Sequence, residues 1–379
     1  MDLPRADIDP DGLLEYSVVF TDRSLNHMSA RFVAAFQDLI RILADTYHAA
    51  AVAVVPGGGS FGMEAIARQF AGGRRVLVLR NGFFSYRWSQ IIDAGRLTED
   101  HRVLAARPAS DEPQAGFAPA PIEEVEQAIA AQRPEVVFAP HVETASGILL
   151  DDDYLRRVAE ATHAVGGLFV LDCVASGPLW VDMTAIGVDI LLSAPQKGWS
   201  GTPCAGYVMF SERARAAIED TTSSSFAGDL KKWLAIAEGY EQGRAGYHAT
   251  MPTDSLLHNV EVMKESLRVG LDELTARQRE LGENVRGLLT ARGFRSVAAQ
   301  GWQSPTVVVV HTDDPELASA AKFKQAGVQA AAGVPLMIDE PADYQAFRLG
   351  LFGLDKWADV DGTVDRLATA LDRLGIKAG

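Results

Sequence analysis

The chain has 379 residues, 47% of them hydrophobic and 22% charged, the balance of a folded globular protein rather than a disordered one. That length is too great for one small core and suits a large domain joined to a smaller one. A formal net charge of −15 argues against nucleic acid or an anionic membrane as partner, because both reward clustered Lys and Arg.

The opening "MDLPRADIDPDG" is acidic and carries no apolar stretch of the signal-peptide kind. No uncharged apolar run reaches the length of a membrane span. Only two cysteines are present, Cys173 and Cys204, which supports neither a disulfide framework nor a thiolate metal site. The expectation is a cytoplasmic protein without a metal.

From about residue 50, short β-rich runs alternate with helical patterns. "AVAVV" (51–55) reads as a buried strand. The following "SFGMEAIARQFAGG" puts Met63, Ile66, Ala67 and Phe70 on one helical face and stops at Gly72-Gly73. "VLVL" (76–79) is the next strand, "IEEVEQAIAAQ" (122–132) a helix and "VVFA" (136–139) a strand. "DDDYLRRVAEATHAV" (151–165) is a helix opened by acids that suit its dipole, and "LFVL" (168–171) is a strand. Two further apolar strands (190–192 and 205–210) flank "SAPQKGWSGTPC". Continuous apolar strands separated by helices imply an α/β fold with a mainly parallel sheet covered on both faces. Near residue 255 the pattern changes to a long helical stretch (about 255–293) and sparser strands at 305–310, 327–334 and 347–352, the mark of a smaller α+β domain. The expected division is an N-terminal arm (1–15), a large domain (16–255) and a small C-terminal domain (256–379).

In open α/β sheets, ligands sit beyond the carboxyl ends of the strands, so the polar residues after each strand are the candidate site. "PGGGS" follows the first strand. Gly58, Gly59 and Ser60 at a helix start could aim free N–H groups and a hydroxyl at a phosphate, or simply form a tight turn capped by Ser60. "RNGFFSYRW" follows the second and crowds Phe83, Phe84, Tyr86 and Trp88, either core or a platform for a flat ring. "PHVETASG" brings His141, Glu143, Thr144 and Ser146, each open to turn chemistry or capping. Asp172 ends the 168–171 strand, where an unpaired carboxylate would cost several kcal/mol, so it needs a cation or a protonated nitrogen. Lys197 lies 25 residues later in a loop between two apolar strands. Either desolvation there lowers the amine's pKa and makes it a nucleophile towards carbonyls, or its head simply reaches solvent through the turn. One ligand would use all five features: pyridoxal phosphate, which condenses with a lysine and needs an acid at its ring nitrogen.

"LDCVASG" followed by "APQKGW" resembles the class V aminotransferases of fold type I, nearest the alanine–glyoxylate and serine–glyoxylate group. The likeness runs from "HMSARF" at His27 to "FRLGLFG". It implies a large domain with a mainly parallel seven-stranded sheet and a smaller C-terminal α+β domain. By the same resemblance Lys197 would condense with the cofactor and shuttle protons, and Asp172 would hold the pyridine nitrogen protonated. Val174 and Phe84 would pack on the two faces of the ring, and Thr144 would bond the ring hydroxyl. Gly58, Gly59, Ser60 and Gln196 would hold the phosphate, completed by Tyr247 and Thr250 of "GYHAT" across a homodimer interface. Arg348 would grip the substrate α-carboxylate, a role that also suits an arginine in an apolar strand. The chain departs from the family at its opening, "LLEYSVVFTDRSLNHMS", and at Ser60, where the nearest group often has His or Thr.

The activity expected is a ping-pong transfer of an amino group from a small amino acid to a 2-oxo acid of the pyruvate or glyoxylate type. The rival enzyme readings are a cysteine desulfurase or a β-eliminating lyase, of which the desulfurase needs a mobile reactive cysteine. The non-enzyme rival is a pyridoxal-phosphate-binding sensor, which would normally carry a basic DNA-binding extension.

Overall fold

The computed structural model describes residues 2–378. In chain order its strands are β1 (Ala51–Pro56), β2 (Val76–Arg80), β3 (His101–Ala105), β4 (Arg107–Pro108), β5 (Phe117–Ala118), β6 (Val136–Pro140), β7 (Leu168–Asp172), β8 (Ile190–Ser193), β9 (Ala205–Phe210), β10 (Val307–His311), β11 (Ala331–Ala332) and β12 (Ala346–Gly350). Seven of them form one sheet in the order β1-β9-β8-β7-β6-β2-β3. β9 is antiparallel to both neighbours, and every other pair is parallel. Strands β6, β8 and β9 are buried at every position, which is why they read as unbroken apolar runs rather than alternating ones.

This winding brings the carboxyl ends of β1, β2, β6, β7 and β8 to one edge. The start of β9 joins them there, since Ala205 pairs with Pro56 of β1. Helices cover the sheet between strands, among them Gly59–Phe70, Phe83–Gly95, Ile122–Gln132 and Asp152–Ala164. The acids of "DDD" act at a helix start as expected, with Asp151 accepting from the Tyr154 amide at 2.8 Å. The aromatic cluster after β2 proves to open a helix, Phe83–Gly95. Trp88 of that helix is fully buried and stacks on Phe138 of β6 with centroids 4.2 Å apart.

The long helical stretch near 255 is two helices, Thr253–Val269 and Leu271–Thr290, broken at Gly270 with φ of 101°, a backbone that favours glycine. Leu256, Val260 and Met263 of the first helix join the core beneath the large sheet. Leu274, Leu281, Val285 and Leu289 of the second build a separate core with Phe323, Phe347 and Trp357. Gly270 thus separates a helix of the first core from one of the second, although Val297, Val307, Val309 and Ala346 beyond it still pack in the first core. The boundary expected at 255/256 lies within the helix Thr253–Val269. The second core is capped by the antiparallel sheet β10-β12-β11. Only two residues of "GVQAAAGV" pair, because β11 is a short edge strand. Among the described residues, no helix is long and apolar enough to cross a membrane.

Candidate active site

A cavity of about 390 Å³ opens at the carboxyl edge of the large sheet, closed on its far side by the small sheet. Gly59, Ser60, Phe84, Thr144, Asp172, Val174, Gln196, Lys197 and Arg348 all line it, so nine residues singled out in sequence meet in one place. Gly58 caps the helix that begins at Gly59 and stands directly behind that lining.

The first wall is the turn after β1. Gly57 has φ of +121°, and a Cβ there would fall 2.5 Å from the Phe61 ring, so only glycine lets the chain reverse into the helix. The amides of Phe61 and Gly62 return to the Gly58 carbonyl at 3.0 and 3.1 Å. Those of Gly58, Gly59 and Ser60 meet no backbone acceptor among the described residues. A helix start with free donors is an anion site in waiting.

The second wall is the loop that carries Lys197. Trp199 anchors it, fully buried against Trp180 with centroids 4.5 Å apart. Gly198 packs directly on the loop after Asp172, where an added Cβ would lie 2.2 Å from the Gly177 carbonyl oxygen. That contact locks the lysine loop against the acid loop. The Lys197 ammonium lies 4.8 Å from the centre of the Phe352 ring. Burial, with a smaller contribution from Arg348, lowers the pKa of the lysine, which favours the neutral nucleophilic amine.

Asp172 is buried at the end of β7 and accepts from the Val174 amide at 2.9 Å. Burial pushes its carboxyl up to about 6, opposed by that hydrogen bond, with Glu143 raising it further and Arg87 lowering it. A carboxylate in this state gains most from a protonated nitrogen beside it.

Phe84 is aimed by an unexpected device. The helix Phe83–Gly95 begins at Gly82, which has no side chain to cap it, and the cap comes from Glu143 in the loop after β6. This fully buried carboxylate accepts from the Phe84 amide at 3.1 Å, the Ser85 amide at 2.8 Å, the Ser85 hydroxyl at 2.6 Å and the Ala145 amide at 3.0 Å. The capping reading of "PHVETASG" holds, and one residue fixes both Phe84 and the loop bearing Thr144. We expect Glu143→Gln to lower thermal unfolding stability by about 1–3 kcal/mol, because an amide oxygen replaces a charge that satisfies four donors. An unchanged melting temperature would show that the cap contributes nothing.

Arg348 projects from the middle strand of the small sheet. Its Nε donates to the Ala332 carbonyl at 2.8 Å, and its guanidinium carbon stands 5.6 Å from the centre of the Phe84 ring. The terminal nitrogens donate to no acceptor among the described residues, which leaves a fork for a carboxylate. Tyr247 and Thr250 do not line this cavity. They pair with each other at 3.2 Å on an exposed segment. Sequence reasoning missed Arg87 and Phe352, which also line the cavity. Arg87 sits three residues after Phe84, on the same helical face, a signal that becomes visible once the helix is recognised.

Pyridoxal phosphate fits these residues. The buried Gln196 Oε1 has no hydrogen-bond partner, and the same amide turned over presents Nε2 to an anion. Free helix amides suit the phosphate, Asp172 the ring nitrogen, and Lys197 the aldehyde. The two cysteines do not suit a persulfide carrier. Both are buried, and burial raises both thiols, that of Cys204 to about 11.

Sheet order, lysine loop and buried acid together are those of a fold type I transferase. The model of the family "Aminotransferase class-V" matches residues 14–334, and the chain belongs to that family. Among its relatives is the L-aspartate–glyoxylate aminotransferase of Paracoccus denitrificans, 30% identical over 66% of this chain and 61% of the relative. The chain thus spans somewhat less than two thirds of that protein's length. An alanine–glyoxylate aminotransferase of Callithrix jacchus is 29% identical over 84% of this chain and 74% of its own. Among solved structures, an alanine–glyoxylate aminotransferase from Nostoc sp. superposes with a TM-score of 0.76 at 24% identity, covering 92% of this chain and 89% of that one.

Proposed function

We propose that the chain is a pyridoxal-phosphate-dependent aminotransferase that moves an amino group from a small amino acid to a 2-oxo acid of the pyruvate or glyoxylate type. The observation that carries this reading is the meeting of Lys197, Asp172 and Arg348 in one cavity at the strand ends. When bound, the cofactor supplies an aldehyde for amines and a ring that holds the electron pair left at Cα. Asp172 keeps the ring nitrogen protonated. Phe84 and Val174 hold the ring between them, and Thr144 bonds its hydroxyl. Arg348 orients the α-carboxylate of donor and acceptor in turn. Lys197 Nζ takes the Cα proton and delivers it to the C4′ carbon. Both substrates use the same residues in sequence, which is what a ping-pong exchange requires.

The names of the Paracoccus and Callithrix relatives support glyoxylate as acceptor. The test is the visible spectrum of the purified protein during titration with single amino acids. The expected result is loss of the yellow band with one donor and its return on adding a 2-oxo acid. Release of sulfide, ammonia or pyruvate instead would overturn the reading in favour of a lyase. Arg348→Lys should lower kcat/KM about 10- to 100-fold, chiefly through KM, because a point charge replaces a two-pronged grip. The yellow band should persist, and an unchanged KM for both substrates would remove Arg348 from carboxylate binding.

The working unit we propose is a homodimer with shared sites. Tyr247 and Thr250 stand outside their own cavity, and Phe61, Phe226 and Tyr247 expose large apolar surfaces. Mixing inactive Lys197→Ala and Tyr247→Ala chains should restore activity in hybrid dimers if each chain completes its partner's site. The free Cys173 and Cys204 suit a reducing compartment, and we place the enzyme in the cytoplasm.

A further inference from the structure

We propose that Arg87, acting with Ser60, anchors the cofactor phosphate, a role outside the set of residues implied by the family resemblance. The inference rests on the pyridoxal phosphate reading above. Arg87 lines the cavity from the helix Phe83–Gly95. Its Nη1 donates to Ser60 Oγ at 2.8 Å, and its guanidinium carbon stands 4.7 Å from the centre of the Phe84 ring. No other protein acceptor takes a hydrogen bond from its side chain among the described residues, so most of its five donors are uncommitted.

Charge balance identifies the anion. The cationic side chains lining the cavity are Lys197, Arg348 and Arg87, and the acidic one is Asp172. Lys197 meets the aldehyde, Arg348 the substrate carboxylate and Asp172 the ring nitrogen. One cation then remains, and so does one ligand group, a phosphate of charge near −2. Without Arg87, that phosphate would rest on dipoles alone: helix amides, Ser60 and Gln196. Ser60 joins the two. Its oxygen accepts from Arg87, which turns its single O–H proton outward to an acceptor, and the neighbouring charge strengthens that donor. Arg87 also approaches Asp172 closely enough to lower its carboxyl against the effect of burial.

The competing role for Arg87 is a grip on the second carboxylate of a dicarboxylic donor. The two are separated by measuring dissociation constants of pyridoxal phosphate and of pyridoxal, which lacks the phosphate, by absorbance titration of cofactor-free protein. For Arg87→Met the expected result is pyridoxal phosphate bound about 10- to 100-fold more weakly, with pyridoxal unchanged. Ser60→Ala should show a smaller loss with the same preference, which keeps the proposal testable if Arg87→Met does not fold. Equal weakening of both ligands, or no change in either, overturns the proposal. A normal cofactor constant with a raised KM for aspartate or glutamate overturns it in favour of the substrate role. A wild-type protein that pyridoxal phosphate does not colour would instead sink the functional reading itself.

Discussion

Lys197→Ala should abolish the visible band that marks condensation with the cofactor and lower turnover by at least about 10⁴-fold. The lysine does two things at once. In the proposed reaction it would supply the amine that condenses with the aldehyde, and it would move the substrate Cα proton, a role worth roughly 10²- to 10⁴-fold in its own right. The structure gives no substitute base. Among the side chains that line the cavity, the other titratable groups are two arginines and Asp172, and in the proposed reaction Asp172 would serve the ring nitrogen. The fold itself should survive, because Trp199 and the Gly177–Gly198 contact hold the loop without help from the lysine. Lys197→Arg should be as inactive, since a guanidinium neither condenses nor gives up its proton near neutral pH. Single-turnover kinetics check the claim, and a variant retaining a tenth of native turnover would refute it.

Asp172→Asn should lose about 10³-fold in turnover and yet make the cofactor-free protein more stable at neutral pH. Burial raises the folded carboxyl from 3.8 to about 6. Between those values the folded chain holds a proton that the unfolded chain has released. The favourable contribution is therefore complete below about pH 4 and disappears as pH rises through about 6. Above that, the buried charge costs roughly 3 kcal/mol, at about 1.4 kcal/mol per pKa unit. Asparagine cannot ionise, so the variant escapes that loss. Urea unfolding from pH 4 to 7.5 should show the two cofactor-free proteins diverging as pH rises, with the variant ahead. Bound cofactor should close the gap by placing a proton beside the native acid. Parallel pH profiles without cofactor would mean that Asp172 is already paired in the free protein.

Most strands were legible because strands buried on both faces must be apolar at nearly every position, as β6, β8 and β9 are, whereas β3, only partly buried, was not read. The site was legible wherever its residues follow a strand directly, as Asp172 follows from β7 and Thr144 from β6. Arg348 was legible as an arginine inside an apolar strand, but two other side chains that arrive from elsewhere were not. Phe352 reaches Lys197 from the segment that follows β12, and Arg87 reaches Ser60 from the flank of a neighbouring helix. The helix at Phe83 stayed hidden because its cap, Glu143, lies 59 residues beyond Phe84 in the chain. The cap position itself is Gly82, which offers no side-chain acceptor, and the Asn81-Gly82 pair reads locally as a turn. The break at Gly270 was not legible because it interrupts an otherwise continuous helical pattern, and nothing local shows which core each half enters.

The cavity wall divides by position along the chain. Every residue at the cofactor's end, from Gly59 to Lys197, precedes Gly270, while Val307, Ala331, Arg348, Gly350 and Phe352 all follow it. Thr306 Oγ1 ties the halves by donating to the Ala175 carbonyl at 2.9 Å. Exchange of the segment after Gly270 with that of another family member would swap this end of the cavity, provided that Val297, Val307, Val309 and Ala346, which follow Gly270 but pack in the first core, are matched. A chimaera that keeps the threonine would inherit its cofactor from one parent and its appetite for substrate from the other.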